Sequence, residues 1–301
     1  MKVCIACGTK FDGSGWQCPL CHFSPKSVCG CPSFINEIPD SGEFYRPEYF
    51  EQLYALEASS FWFRSRNSLI NWALRRFFPE ARSFFEIGCG TGFVLSGIES
   101  KFHNLSLYGS EIHEAGLFYA SRRLRNAQLF QMDGRLIPFE DEFDVMGAFD
   151  VLEHVREDER VLMQICKAVA PGGGMILTVP QHPFLWSRLD DLACHVRRYC
   201  AGDLRARVRN AGFEIVRMTS FVSIIFPLML LSRLFKNRPG RNFDPVAELK
   251  LGQPLDLVLE KALDLERALI NCGLSFPAGG SLLLIARKPG SGRKTYIEDT
   301  F

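Results

Sequence analysis

Short apolar runs alternate with amphipathic segments along most of this 301-residue chain. The apolar runs predict seven strands at Ser83–Ile87, Leu105–Tyr108, Ala127–Gln131, Phe143–Ala148, Gly174–Val179, Phe213–Thr219 and Ser281–Ala286. Helical spacing predicts intervening helices, notably at Phe93–Ser100, Ala115–Leu124, Asp158–Ala170 and Asp203–Ala211. This alternation is typical of a doubly wound α/β fold with a parallel sheet, whose ligands bind at the carboxyl ends of the strands.

Two regions flank this pattern. From Pro47 to Phe78 the apolar spacing predicts two helices ahead of the first strand, and Pro79 ends the second. Residues 221–278 break the alternation and predict a mainly helical insertion before the last strand. We therefore expect a small module at 1–35, a main domain at 45–289 and a flexible tail at 290–301.

The insertion begins with an apolar run, 221–235, that is followed by Lys236, Arg238 and Arg241. One interpretation is a core helix or a dimer face. The other is a peripheral membrane contact through 221–238, which would let the protein reach a lipid-linked acceptor. The later stretch Leu255–Leu269 has ordinary amphipathic periodicity, and we expect it to cover the first run.

Composition and charge restrict the choice of partner. The chain is 47% hydrophobic and carries a net charge of +1, so no global charge would draw it to nucleic acid or to an anionic membrane. The first seven residues, Met1 to Cys7, lack the long apolar stretch typical of a secretory signal, and Pro227 interrupts the most apolar run. We expect a cytoplasmic protein without a spanning helix, with the inner-membrane periphery as an alternative location.

Six of the eleven cysteines lie between Cys4 and Cys31. Four of them form two Cys-x2-Cys pairs, namely Cys4, Cys7, Cys18 and Cys21. Two such pairs can place four thiolates tetrahedrally around one ion, and zinc is the metal that this soft cage favours. Gly8, directly after the first pair, suits a turn that needs a positive φ. The sequence therefore predicts a structural zinc site.

The role of this zinc module is open at this stage. It could dock nucleic acid or a partner, but Lys2, Lys10 and Lys26 are too few to follow a phosphate backbone. A structural clip against the main domain is the favoured interpretation. Cys29 and Cys31 are either free thiols or ligands of a second site that also uses His22.

A glycine-rich loop, Gly88–Gly92, stands between a predicted strand and a predicted helix. The next strand is followed by Glu111, at the spacing where such folds place an acid on a ribose hydroxyl pair. Glycine is needed in the loop because a side chain would block the approach of a ligand to the backbone. The pattern differs from the G-x-G-x-x-G of dehydrogenases.

Residues Glu86 to Gly92 resemble motif I of class I S-adenosylmethionine-dependent methyltransferases, E-x-G-x-G-x-G. The resemblance implies a Rossmann-like seven-stranded sheet with an antiparallel last strand and S-adenosyl-L-methionine as cofactor. It implies that Glu111 binds the ribose, that Asp133 accepts from the adenine amino group and that Glu86 orients the methionine part. The full predicted cofactor set is Trp62, Arg66, Glu86, Gly88, Cys89, Gly90, Thr91, Gly92, Glu111, Asp133, Gly134 and Asp150.

Later segments carry the resemblance further. Phe149–Val155 and Pro171–Gly174 are similar to later motifs of the same superfamily. Segments 61–67, 179–182 and 195–199 resemble a group of bacterial methyltransferases, of type 11 or 23, with no single agreed substrate. In segment 61–67, we expect Trp62 either to cap the cofactor or to pack in the core. We expect Arg66 to lie near the cofactor carboxylate.

Methyl transfer needs alignment of the nucleophile and removal of any proton it carries. His154 and His195 are the candidate bases because both follow predicted strands and titrate near neutral pH. A local structural role is nearly as plausible for each. Asp150-x2-Glu153-His154 also resembles a cluster that ubiquinone-pathway O-methyltransferases use for a divalent ion, with Asp in place of Glu.

Arg197, Arg198 and Tyr199 are candidates to clamp an anionic substrate group, or to form a solvated basic lid. The sequence predicts a methyltransferase acting on a small-molecule or lipid-linked acceptor, at oxygen. One alternative is an RNA methyltransferase whose zinc module grips RNA, although nucleic acid is not expected as a partner. A second is a non-catalytic regulatory protein that binds the cofactor.

Overall fold

The computed structural model describes residues 1–35, 47–236 and 252–290, without the side chains of 232–236. Its strands are β1 (Lys2–Val3), β2 (Lys10–Phe11), β3 (Lys26–Val28), β4 (Cys31–Ser33), β5 (Ser83–Ile87), β6 (Ser106–Glu111), β7 (Gln128–Gln131), β8 (Phe143–Phe149), β9 (Val169–Pro180), β10 (Glu214–Phe221) and β11 (Ser281–Arg287). The helices are α1 (Pro47–Leu56), α2 (Phe61–Phe77), α3 (Phe93–Glu99), α4 (Glu114–Arg123), α5 (Asp158–Ala168), α6 (Arg188–Leu192), α7 (Ala201–Asn210), α8 (Phe226–Lys236) and α9 (Gln253–Asn271).

The main sheet follows the order β10-β11-β9-β8-β5-β6-β7-β4-β3. Strands β5 to β9 run parallel, and β11 lies antiparallel between β9 and β10. The predicted Rossmann-like sheet of seven strands with an antiparallel last strand is confirmed. Strand β9 begins earlier than predicted, because Gly173 lets the chain pass close to Asp144: a Cβ there would lie 2.5 Å from the Asp144 carbonyl oxygen.

Alternate residues of each strand enter the two halves of the core, as expected when successive side chains point to opposite faces. Phe84 packs with Leu74 of α2 and Leu95 of α3 on one face. Its neighbour Phe85 belongs to the cluster formed with α5 and α7 on the other face. Helices therefore cover both sides of the sheet and leave the carboxyl ends of the strands for a site.

The N-terminal module extends the main sheet at one edge. Strand β4 pairs in parallel with β7, with Ser33 opposite Gln131, and the Phe34 N–H donates to the Gln131 carbonyl at 2.8 Å. The Trp16 ring packs edge-on against Phe34 and Phe139, with centroids 4.6 and 5.4 Å away. These contacts favour the structural-clip interpretation, because the module shares both hydrogen bonds and core packing with the main domain.

The apolar run at 221–235 divides into three parts. Strand β10 ends at Phe221, a short turn follows, and α8 carries Pro227 in its first turn, where its missing N–H costs no helical hydrogen bond. The carboxylate of Glu266 holds the turn by accepting from the Ser223 and Ile224 N–H groups at 2.6 and 2.8 Å. The predicted core helix is not what forms, since Leu228 and Leu231 are half exposed.

Helix α9 contains the predicted stretch Leu255–Leu269, but it packs along α2, and Leu257, Val258 and Leu265 are more than half exposed. Arg64 pairs with both Asp256 and Glu260 of α9 at 2.7 Å. Within the described ranges, no helix is both long and apolar enough to cross a bilayer. The basic residues Arg238 and Arg241 and most of the tail at 290–301 lie outside those ranges.

Candidate active site

The glycine loop forms a tight bend between β5 and α3. Gly88, Gly90 and Gly92 all adopt positive φ, at 67°, 54° and 77°. A Cβ on Gly90 would meet nothing within 4 Å, whereas one on Gly88 would lie 2.6 Å from Val151. The bend is thus packed on its inner side and open at Gly90, which is the arrangement that lets a ligand approach the backbone.

Glu111 lies beside this bend at the end of β6. Its carboxylate accepts from the Gly90 N–H at 2.9 Å and from the Ile112 and His113 N–H groups at 2.8 and 3.0 Å. Burial raises the pKa of Glu111 above its ordinary value, while these three donors act in the opposite direction. The acid that the sequence assigned to ribose therefore also holds the loop in place.

Asp133 and Gly134 follow β7, close to the same edge. The Asp133 carboxylate forms a two-pronged ion pair with Arg135, with Nε and one terminal nitrogen of the guanidinium at 3.0 and 2.6 Å from Oδ2. The Arg135 N–H also donates to Asp133 at 2.8 Å. An adenine amino group would have to share this carboxylate with Arg135, a partner that sequence reasoning missed.

Glu86 lies beneath the loop, in the middle of the sheet. Only 2% of the residue is exposed, and its Oε2 atom has no hydrogen-bond partner among the described residues. Burial raises the pKa of Glu86 to about 8, with the charge of Arg66 acting against the rise. A buried carboxyl with an unused oxygen is suited to receive a cationic or hydrogen-bond-donating group of a ligand.

Arg66 and Asp150 connect α2 to the carboxyl end of β8. Asp150 adopts a φ of 56° and forms an ion pair with Arg66. The Arg66 guanidinium also lies over the Trp62 ring, 4.5 Å from its centroid. The structure thus brings these three predicted cofactor residues together, at the strand end that neighbours the glycine loop.

His154 and His195 meet although 41 positions separate them in the sequence. Their ring centroids are 4.7 Å apart and their planes are nearly perpendicular. Burial, followed by the proximity of His195, lowers the pKa of His154 to about 3. His154 is therefore neutral at pH 7, whereas a general base of ordinary strength would have a pKa closer to the working pH.

Asp190 orients His195, and sequence reasoning missed it. Its Oδ1 lies 2.9 Å from Nδ1 of His195 and accepts from Nε of Arg198 at 2.7 Å. Burial acts in the opposite direction, but these two partners keep the pKa of Asp190 below its ordinary value. The available signal was Ser187 three positions earlier, since the two side chains form a capping box at the start of α6.

Arg197, Arg198 and Tyr199 do not form an open clamp. Arg197 pairs with Asp158 at 2.6 Å, and Arg198 pairs with Asp190. The Tyr199 side chain is 2% exposed and donates its hydroxyl proton to Asp158 at 2.7 Å. Internal carboxylates already satisfy all three groups, so the geometry favours a packing role over capture of a substrate anion.

A buried group behind the loop also escaped sequence reasoning. Glu57, next to the end of α1, accepts from the Thr91 hydroxyl at 2.7 Å and pairs with Arg123 at 2.5 Å. Arg123 in turn donates to the Thr91 hydroxyl at 2.6 Å. The group ties α1 and α4 to the glycine loop. No sequence motif marks it, because its members come from three separate segments.

The four N-terminal thiols converge on one point. Sγ of Cys4 lies 3.5 Å from that of Cys21, Sγ of Cys7 lies 3.6 Å from that of Cys18, and none of the four forms a disulfide. Four sulfurs bound at about 2.3 Å around zinc would be separated by similar distances, so this donor set fits the ion. Gly8 adopts the predicted positive φ, at 76°.

The second cysteine pair has a matching turn. His22 takes a φ of 58°, and its N–H donates to the Cys18 carbonyl at 3.0 Å, as the Gly8 N–H does to Cys4 at 2.9 Å. Among the described residues, the groups whose geometry could hold a metal do not include His22, Cys29 or Cys31.

Comparison with known proteins identifies the family. Residues 60–218, just over half of the chain, match a family described as a methyltransferase domain. Trans-aconitate 2-methyltransferase of Variovorax paradoxus (strain S110) is 28% identical over 105 residues, which are 35% of this chain and 40% of that enzyme.

Solved structures share the fold at lower identity. Phosphoethanolamine N-methyltransferase 2 of Haemonchus contortus, in complex with S-adenosyl-L-methionine, is 17% identical with a TM-score of 0.56, over 86% of this chain and 61% of that one. The [4+2]-cyclase SpnF is 22% identical with a TM-score of 0.51, over 78% and 85%. The chain thus spans less than two thirds of both named methyltransferases. Its match over residues 60–218 and its glycine loop together show that it belongs to the methyltransferase domain family.

Proposed function

We propose that this protein transfers a methyl group from S-adenosyl-L-methionine to an oxygen atom of a small or lipid-linked acceptor. The observation that carries the proposal is the bend at Gly88–Gly92, which is open at Gly90 and tied to the Glu111 carboxylate. The cofactor supplies a methyl group already activated by a sulfonium. The protein therefore mainly needs to position the two reactants and exclude water.

The residues around the bend have the donors and acceptors that this cofactor requires. Glu111 is proposed to bind the ribose hydroxyls and Asp133 the adenine amino group. Glu86 has an unused buried oxygen for the cationic methionine part. Arg66 is proposed to exchange part of its contact with Asp150 for the cofactor carboxylate, while Trp62 packs over it.

The proposed acceptor side is apolar. Phe184 is 69% exposed and lies 4.9 Å from the His182 ring, which in turn lies 5.6 Å from Phe226 at the start of α8. Leu228 and Leu231 of α8 are also half exposed, but they lie on a different face of the helix from Phe226. An apolar or lipid-linked acceptor would cover exposed apolar side chains of this kind, which is the support for that half of the proposal.

Oxygen is the proposed methylated atom because of the groups beyond β8 and β9. His154 and His195 lie together next to the Asp150 end of β8, and we place the acceptor hydroxyl against them. The two named methyltransferases, for trans-aconitate and phosphoethanolamine, act on small molecules. Their small substrates agree with a small acceptor, whereas the choice of oxygen as the methylated atom rests on the residues of the site.

Binding and turnover test the proposal separately. Calorimetry with S-adenosyl-L-methionine should show one site per chain. Incubation of the full chain with methyl-labelled cofactor and fractionated metabolite and lipid extracts should release S-adenosylhomocysteine with an organic-soluble labelled product. Binding without turnover in any fraction would favour a regulatory protein. Label in RNA fractions would favour an RNA methyltransferase, and the absence of binding would refute the proposal.

A further inference from the structure

Glu153 is a buried acid whose carboxylate has unused hydrogen-bonding capacity. It lies in the short 3-10 turn Leu152–His154 that follows β8, and 1% of the residue is exposed. Neither of its carboxylate oxygens has a hydrogen-bond partner within the described part of the chain. A buried carboxyl with two unused oxygens is costly, so the native protein needs a group that satisfies them.

Two imidazoles lie next to this acid. One ligand atom from each of Glu153, His154 and His195 can be chosen so that all three lie within 4.8 Å of one another. Ligand atoms bound to one ion at about 2.0–2.2 Å lie at most about 4.4 Å apart, so a small inward movement of these side chains would let a single ion touch all three. Glu153 and His154 precede α5 in the sequence, whereas His195 follows it, so the fold and not a local motif brings the three side chains together.

The surroundings match those of a metal-bound histidine. Asp190 is 1% exposed, and its carboxylate lies 2.9 Å from Nδ1 of His195. An ionised Asp190 makes Nδ1 the donor of that hydrogen bond, and the neutral ring of His195 then carries its lone pair on Nε2. Histidine ligands in metalloproteins usually donate their second nitrogen to such a carboxylate, which orients the ring and increases its basicity.

We propose that Glu153, His154 and His195 bind a divalent first-row transition-metal ion, with Asp190 as the outer carboxylate that positions His195. Two imidazoles and one carboxylate on one side of an ion leave further positions open, and this donor set suits iron, zinc or manganese better than magnesium. Asp150 is not part of the set, because its carboxylate is paired with Arg66. The site therefore differs from the Asp150-x2-Glu153-His154 cluster that the sequence resembles.

The position of the site next to the proposed acceptor suggests that the ion activates the acceptor hydroxyl. This role rests on the proposed function. An acceptor hydroxyl that coordinates the ion would lose its proton to solvent more easily, because the positive charge stabilises the alkoxide. The alkoxide would then form the new C–O bond as the C–S bond of the sulfonium breaks. The leaving electron pair stays on the sulfur, so atoms and charge balance.

Metal binding can be tested without any acceptor. The full chain, with zinc in the cysteine cage, is titrated with Mn²⁺ and followed by electron paramagnetic resonance. Mn²⁺ is a poor competitor for four thiolates. We expect one bound Mn²⁺ per chain, with binding weakened by about 100-fold or more in Glu153→Gln and His195→Gln, and by roughly 10- to 100-fold in Asp190→Asn. The matched control is His103→Gln, an exposed histidine outside the site, which should bind as the wild type does.

The outcomes separate this inference from the proposed function. Failure of the wild type to bind Mn²⁺, or undiminished binding in both Glu153→Gln and His195→Gln, overturns the metal site and leaves the proposed methyl transfer standing. If either variant fails to fold, pulsed resonance on the wild type replaces it. Nitrogen couplings from two imidazoles support the site, and their absence refutes it. Mn²⁺ binding without any affinity for S-adenosyl-L-methionine would support the metal site and refute the proposed methyl transfer.

Discussion

The Gly90 N–H donates a hydrogen bond to the Glu111 carboxylate at 2.9 Å, which joins the bend after β5 to the end of β6. The two residues are neighbours only because β5 and β6 pair in parallel, with Ile87 opposite Ser110. The contact fixes the bend before any ligand arrives. A preformed bend lowers the ordering cost of binding, since the backbone is already in place.

Replacement of Gly90 by arginine should remove cofactor binding and preserve the fold. A Cβ at this position meets no atom within 4 Å, so the new side chain projects into the space we assign to the cofactor, and the φ of 54° adds a backbone strain of only about 1–2 kcal/mol. We expect affinity for S-adenosyl-L-methionine to fall by about 100-fold or more, which corresponds to about 2.7 kcal/mol. Calorimetry measures the affinity, and circular dichroism checks the fold. Gly202→Arg, on the exposed surface of α7, is the matched control and should bind normally; unchanged affinity in Gly90→Arg contradicts the assignment.

Glu86 should make stability depend on pH. Its pKa is about 8 in the folded chain and near 4.5 when unfolded, so the folded state retains a proton that the unfolded state releases. Its contribution is therefore fully present below pH 4.5 and is lost as the pH rises to about 8. Each unit of pKa difference corresponds to about 1.4 kcal/mol, so the loss should reach a few kcal/mol.

The matching variant is Glu86→Gln, which carries no titrating proton. Urea unfolding at pH 5.5 and pH 8.5 should show a smaller decrease in the free energy of unfolding for the variant than for the wild type. Equal decreases in the two proteins would mean that Glu86 is ionised in the folded chain.

The buried pair of Glu57 and Arg123 should be strongly coupled. Arg123→Met leaves the Glu57 carboxylate buried without its cation, and the expected loss is about 3–5 kcal/mol in the free energy of unfolding. Adding Glu57→Gln removes the stranded charge, so the double variant should recover much of that loss. A double-mutant cycle by urea unfolding gives the coupling. Additive effects of the two substitutions would show that the pair does not stabilise the loop.

Cys18→Ser should release one equivalent of zinc and lower the melting temperature. The loss of one of four thiolates opens the cage and weakens the hold of the N-terminal module on the main sheet. Atomic emission after dialysis measures the metal content. Cys29→Ser, an exposed cysteine outside the cage, should retain the zinc. Unchanged zinc in Cys18→Ser would refute the cage.

The exposed surface of α8 should bind lipid. We expect the full chain to sediment with anionic vesicles, and Leu228→Asp with Leu231→Asp to reduce that fraction several-fold by placing charge in the contact. Met163→Asp on α5 is the control, because it is also half exposed but lies on another helix. Equal sedimentation of both variants and the wild type would contradict lipid contact through α8 and remove its support for a lipid-linked acceptor.

Local patterns were sufficient for most of the fold. Apolar periodicity located all seven strands of the Rossmann-like sheet, and the glycine spacing located the bend, because both depend on neighbouring residues in the chain. The predicted ends of the strands were less accurate than their positions. Strand β6 extends three residues beyond its predicted end to Glu111, since pairing with β5 and β7 continues there.

The extension of the sheet was not predictable from the same patterns. Strands β3 and β4 are three residues each, too short for a periodicity to show, and β4 is held in the sheet by its pairing with β7 and by the Trp16 packing. The sequence indicated a small zinc module. It could not indicate that the module would complete an edge of the main sheet.

The sequence by itself determined the family, the glycine bend and the cysteine cage, because each is written in residues close together in the chain. Tertiary structure decided the rest: Arg66 lies on Asp150, and Glu153, His154 and His195 converge with Asp190 behind them. It also directed the arginines at 197 and 198 inward. These relationships depend on which strand ends and loops pack side by side, and that is set by burial of the whole core.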